Sequence, residues 1–72
     1  MDSTSARPFL CNYIRQYRLD AGFTQSELAV AIGVSKNAIS SFERGEYYPS
    51  ARHAALLCEV LEVHFEDLFF LV

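Results

Sequence analysis

Between Lys36 and Arg44 the chain reads KNAISSFER, and at roughly 100° per residue its polar side chains fall together. Lys36, Asn37, Ser40, Ser41 and Arg44 occupy one side of a helix. Ala38, Ile39 and Phe42 occupy the other, with Glu43 bordering the apolar side. The polar side therefore carries a carboxamide, hydroxyls and cations but no carboxylate. Carboxamides and hydroxyls exchange hydrogen bonds with nucleobase edges, and ammonium or guanidinium groups neutralise phosphates or reach guanine acceptors. A merely solvated helix face would look the same in isolation, so the surrounding elements decide.

Those elements are marked by capping chemistry. Thr24 and Glu27 have the T-x-x-E spacing of a capping box, which predicts a helix beginning at about Gln25. Leu28, Ala29 and Ile32 recur at helical spacing, and Gly33 supplies the left-handed residue that ends the helix. After Val34, Ser35 is the N-cap of a second helix that runs to Arg44 and is closed by Gly45. Two short helices joined by a turn containing glycine make a helix-turn-helix, here at about residues 25–44.

The remaining punctuation agrees. Pro8 fits the first turn of a helix whose inner face is Leu10, Ile14, Tyr17, Arg18 and Ala21 and which ends at Gly22. Residues 1–7 are small and polar, a flexible arm. GEYYPS (Gly45–Ser50) is a loop, and Ser50 caps a fourth helix over about Ala51–Leu61, with Ala54, Leu57, Cys58 and Leu61 facing the core. A second apolar stripe, His53, Leu56, Val60 and Val63, lies beside the first. A short helix over about Phe65–Phe69 follows, and Phe70-Leu71-Val72 forms an apolar tail. The expectation is an all-α, five-helix domain over residues 8–69.

Composition narrows the function classes. Seventy-two residues make one domain, and a hydrophobic content of 51% is enough to pack it without metal or disulfide staples. Cys11 and Cys58 have no CxxC or histidine-paired spacing, so buried free thiols are expected and no metal or cofactor is implied. No nucleophile–base pair or phosphate loop stands out, which excludes an enzyme. There is no apolar run of 18 residues and no signal-like start, so the reading is no membrane and a cytoplasmic location. The net charge of −3 runs against nucleic-acid binding, where phosphate neutralisation supplies much of the affinity. Its distribution partly answers this. Residues 53–72 hold Glu59, Glu62, Glu66 and Asp67 with no Lys or Arg, whereas residues 36–52 set Lys36, Arg44 and Arg52 against Glu43 and Glu46.

From about Asn12 to Phe69 the chain resembles the lambda-repressor-like, Cro-type (Xre) helix-turn-helix family. The residues that carry the resemblance are Arg18, Gly22, Thr24-Gln25-Ser26-Glu27-Leu28-Ala29, Gly33-Val34-Ser35, Ile39, Glu43-Arg44-Gly45, Tyr47, Pro49-Ser50 and Glu66-Asp67-Leu68-Phe69. The chain departs from the family at Ala51 and Glu62, where Leu and Gly are frequent; looser packing and an uncertain turn geometry follow. The resemblance implies double-stranded DNA read in the major groove by Lys36, Asn37, Ser40 and Ser41, next to the cap Ser35. Asn37 suits adenine, which a carboxamide can pair at two atoms. Gln25 would lie on the DNA backbone and brace the reading helix, and Arg44, Tyr47 and Arg52 would approach phosphates; Tyr47 serves equally as a packed loop aromatic. Arg18 and Glu43 match a structural ion pair, and two inward-edge charges make sense only if they meet.

Leu56, Val60, Phe70, Leu71 and Val72 are the candidate homodimer contact, which would place two reading helices about one DNA turn (~34 Å) apart. The competing reading folds the tail back over the fourth helix. The functional expectation is a small transcriptional repressor that occludes a palindromic operator. Its alternatives are an antitoxin-like autoregulator whose tail binds a toxin protein, and a helix-turn-helix module that bridges proteins.

Overall fold

The computed structural model describes residues 9–72, and both ends of that stretch are extended. Strand β1 (Leu10–Asn12) pairs antiparallel with strand β2 (Phe69–Leu71), placing Leu10 opposite Leu71, Cys11 opposite Phe70 and Asn12 opposite Phe69. Phe9 and Val72 extend the ladder by exchanging N–H···O bonds of 2.9 and 2.8 Å. Between the strands run α1 (Ile14–Asp20), α2 (Gln25–Ile32), α3 (Lys36–Glu43), α4 (Ala51–Leu61) and α5 (Phe65–Leu68).

The five expected helices are present, and the chain ends depart from the expectation. A helix was read from Pro8 to Gly22; Pro8 and the arm at 1–7 lie outside the described residues, and α1 begins only at Ile14. Leu10 sits four residues before Ile14, so its apolar character fits a helix face. It fits the inner face of a strand equally well, and pairing with the C-terminal segment selects the strand. The residues read as a tail beyond the domain are likewise part of the fold: Phe69 opens β2 and does not close α5, and residues 70–72 pair with residues 9–11. Period-two alternation then puts Phe9, Cys11, Tyr13, Phe70 and Val72 on the outer face, where Tyr13 stacks on Phe70 at 4.6 Å. Cys11 and Cys58 are half-buried free thiols, more accessible than the buried ones expected.

The core sits where the helices converge. Ile14, Leu28, Ile32, Ile39, Leu57 and Leu68 are fully enclosed, one or more from each helix. At about 1.5–3 kcal/mol per enclosed aliphatic side chain, this cluster is the main stabilising term. The outer stripe of α4 is partly consumed by it: Leu56, Val60 and Val63 are half-buried against the core. Exposed Ala51 leaves a shallow hollow of about 520 Å³ beside Ala55, Cys58 and Phe65.

Helix boundaries follow the caps. Thr24 Oγ1 accepts from Glu27 N–H at 3.0 Å while Glu27 Oε1 accepts from Thr24 N–H at 2.8 Å, closing the box at α2. Ser35 and Ser50 accept from Ala38 and His53 N–H, each at 3.1 Å. His64 stands at the N-cap of α5 without a side-chain cap bond. Gly33 ends α2 at φ 78°. Glu62 ends α4 at φ 58°, with Val63 N–H donating to the Cys58 carbonyl at 3.1 Å, so the turn expected of glycine is made by a residue with a Cβ. The left-handed region costs a non-glycine residue about 1–2 kcal/mol. Glu62→Gly is therefore expected to raise stability by roughly 0.5–1 kcal/mol, after glycine's greater freedom in the unfolded chain is set against the relieved strain. A higher urea midpoint at unchanged slope would show it.

Candidate nucleic-acid interface

The αL turn at Gly33 and the Val34 N–H to Ala29 carbonyl bond of 2.9 Å set the angle between α2 and α3. Ile39 and Phe42 are buried under α3, and Ala38 is half-buried. The opposite edge is thereby turned outward. Lys36 and Asn37 are exposed on its first turn, Ser40 and Ser41 are half-buried on the next, and Arg44 is exposed at the C-cap. At 1.5 Å per residue, the eight-residue α3 is about 12 Å long, comparable to the width of a DNA major groove. The Ser35 hydroxyl oxygen is engaged in capping, so its proton remains the group it can offer.

Behind that edge, four groups meet in a nearly dry cluster. Arg18 is 6% exposed, and its Nε donates to Glu43 Oε2 at 2.6 Å and its Nη2 to Oε1 at 3.4 Å. Arg18 Nη1 donates to the Phe23 carbonyl at 2.9 Å, and Gln25 Nε2 donates to Glu43 Oε1 at 3.0 Å. Among the described residues no buried side-chain polar atom is left without a partner. The carboxylate on α3 is thus held from both α1 and α2. Gln25 presents one amide proton to Glu43, and the other is free to reach a phosphate.

The loop after α3 contains a carboxylate that the sequence reading did not single out. Arg44 donates to both Glu46 oxygens at 3.0 and 2.9 Å and also to Ser40 Oγ. The Arg44 hydrogen bond and then its charge hold the Glu46 carboxyl below the usual carboxylate range. Both side chains are more than half exposed, so solvent screens the pair and a phosphate can compete for Arg44. Tyr47, Tyr48 and Arg52 are exposed where this loop leads into α4, with Tyr47 70% accessible and unlike a packed aromatic. The R-x-E spacing of Arg44 and Glu46 was the available signal.

A second missed residue is Asn12. Its Oδ1 accepts from Ile14 N–H at 3.0 Å and its Nδ2 donates to the Phe42 carbonyl at 2.9 Å. An Asn two residues before a helix start is a local signal for the first bond; nothing local announces the second. Among the described residues there is no cluster of three or more His, Cys, Asp or Glu side chains able to hold a metal ion, and no helix long and apolar enough to cross a membrane.

The helix-turn-helix family model matches residues 14–68. The chain belongs to that family. An uncharacterised helix-turn-helix transcriptional regulator of Archaeoglobus fulgidus is 43% identical over 56 residues, 78% of this chain and 80% of that protein. The N-terminal DNA-binding domain of SinR from Bacillus subtilis superimposes with a TM-score of 0.65 at 40% identity, over 72% of this chain and 77% of that one. A structure of SinR, the master regulator for biofilm formation, in complex with DNA gives 0.66 at 40% identity, over 72% and 84%. By family and fold, this helix-turn-helix protein is a DNA-binding transcriptional regulator.

The buried cluster carries its own prediction. Glu43→Ala strands the Arg18 guanidinium and is expected to cost about 3–5 kcal/mol. Combining it with Arg18→Met should recover most of that loss, because an apolar pair of similar volume avoids the uncompensated charge. Urea denaturation of the single and double variants measures both.

Proposed function

We propose that this regulator reads a specific duplex sequence as a homodimeric repressor on a two-fold operator in the cytoplasm. The observation that carries the reading is the outward edge of α3, polar and free of carboxylates, braced from behind by Arg18, Gln25 and Glu43. In the groove, Asn37 reads adenine with its carboxamide, and Lys36 reaches guanine acceptors or a phosphate. Ser35, Ser40 and Ser41 add hydroxyl contacts. Gln25, Arg44, Tyr47 and Arg52 hold the backbone and set register without reading sequence. Binding exchanges Glu46 for a phosphate on Arg44, which lowers the net electrostatic gain of one subunit.

With a net charge of −3, one copy has little counterion release to draw on, and a second copy doubles it. The terminal sheet supplies a contact face. Phe9 is 63%, Tyr13 44% and Val72 70% exposed beside half-buried Cys11 and Phe70, and none of these five side chains is charged. Because Phe9 and Val72 exchange both bonds, the backbone groups of Leu71 point away from β1 and leave the β2 edge open. An antiparallel strand pair is its own complement under a two-fold axis. Phe70, Leu71 and Val72 are the centre of this contact, and half-buried Leu56 and Val60 contribute only their remaining outer surface.

Selection from random duplexes tests the reading directly: enrichment of a two-fold motif is expected, and no enrichment would reject it. On the selected site, Asn37→Ala should cost ~1–3 kcal/mol and relax preference at one base pair, whereas an unchanged motif would remove its assigned role. Sedimentation should give a dimer mass, and a monomer would reject the homodimer. Leu71→Pro should yield a monomer with an unchanged helical spectrum, since Leu71 N–H is not part of the β1–β2 ladder; a persistent dimer would exclude the strand edge.

A further inference from the structure

We infer that Asn12 is a positioning residue for the reading helix: its carboxamide clamps the C-terminal end of α3 to the terminal sheet, so that pairing of the chain ends sets how α3 lies in the groove. This rests on the DNA-reading proposal above.

Both ends of the carboxamide are committed. Oδ1 receives Ile14 N–H at 3.0 Å, at the start of α1, and Nδ2 reaches 30 residues along the chain to the Phe42 carbonyl at 2.9 Å. That carbonyl already accepts from Gly45 N–H at 3.0 Å, so Asn12 fills the remaining lone pair at the end of α3. One half-buried side chain therefore ties β1, α1 and α3 together.

The clamp acts beside a second one. Glu43, the next residue, is held by Arg18 and Gln25, which fixes α3 to α1 and α2 at one point. Packing of Ile39 and Phe42 fixes which face of α3 turns inward but, being non-directional, leaves small shifts; a second directional bond on the residue next to Glu43 removes that slack. Side-chain packing does not make this anchor redundant. A hollow of about 330 Å³ separates Leu10 and Cys11 on β1 from Arg44, Gly45 and Tyr48 beyond α3, and the Asn12 bond spans its margin. Asn12 is itself held in place from β2, since it stands opposite Phe69, which is 4% exposed. Pairing of the two chain ends thus reaches the reading edge through one amide, and anything that strengthens the sheet, a second copy included, restrains α3.

Asn12→Asp separates the two bonds. It keeps an acceptor for Ile14 N–H, removes the donor and turns a carboxylate towards the Phe42 carbonyl. Two measurements at a temperature well below melting decide the matter. Preference for the selected duplex over random duplex at fixed salt should fall ~10-fold, equivalent to one misaligned base contact, with random-duplex affinity within about twofold of the parent. Amide exchange at Gly45 should quicken ~10-fold while exchange within α1 stays unchanged. Undiminished preference, or specific and random binding falling together, overturns the inference, as does unchanged exchange at Gly45. If the parent protein selects no duplex, the DNA reading fails by itself, and the clamp then stands or falls on the exchange measurement alone.

Discussion

The Glu43 carboxylate is the constraint on which the rest of the structure depends. It is buried, charged and attached to α3, and its bonds come from Arg18 on α1 and Gln25 on α2. A buried charge tolerates little displacement of its partners, because attraction at low dielectric offsets desolvation only while the geometry is good. Apolar packing of Ile39 and Phe42 sets which face of α3 turns inward, but such contacts are non-directional and allow sliding. Directional bonds at Glu43 remove that slack. The specificity of a groove-reading helix requires this, since base contacts worth a few kcal/mol are lost with small misplacements.

The acidic balance of the chain has a spatial answer in two parts. Glu43 is withdrawn into the cluster, while Glu46 is exposed and neutralised only by its pairing with Arg44. Glu59, Glu62, Glu66 and Asp67 lie on α4, its C-cap and α5, outside the helix-turn-helix segment. What remains at the outward edge of α3 is Lys36 and the polar side chains of Asn37, Ser40 and Ser41, with Arg52 beyond the loop. Such an edge offers hydrogen-bonding groups more than bulk positive charge.

The terminal sheet shows how a small fold disposes of its ends. Two three-residue strands alone are marginal in water. Here they are supported on the inner side by Leu10 and Phe69 packing on the core, and on the outer side by Tyr13 stacked on Phe70. The same sheet carries Asn12 to α3, so residues 9–12 and 69–72 are mechanically tied to the helix-turn-helix.

Local chemistry made most of the helices legible before any coordinates: the capping box at Thr24 and Glu27, the serines at 35 and 50, and the left-handed glycines each act within a few residues. The polar edge of α3 was legible for the same reason, since helical period sorts side chains by face; it also put Arg18 and Glu43 on inward edges, and the family resemblance implied that they pair. The strands were not, because Leu10 fits either period, and only contact with residues some sixty positions away selects one. Neither were the long bond from Asn12 to Phe42 nor the Glu62 turn, which a non-glycine residue makes against its own preference. What this sequence determined by itself was everything set by neighbours along the chain; what the tertiary structure decided was how its ends meet and what they hold, because those energies exist only after the core has brought distant segments together.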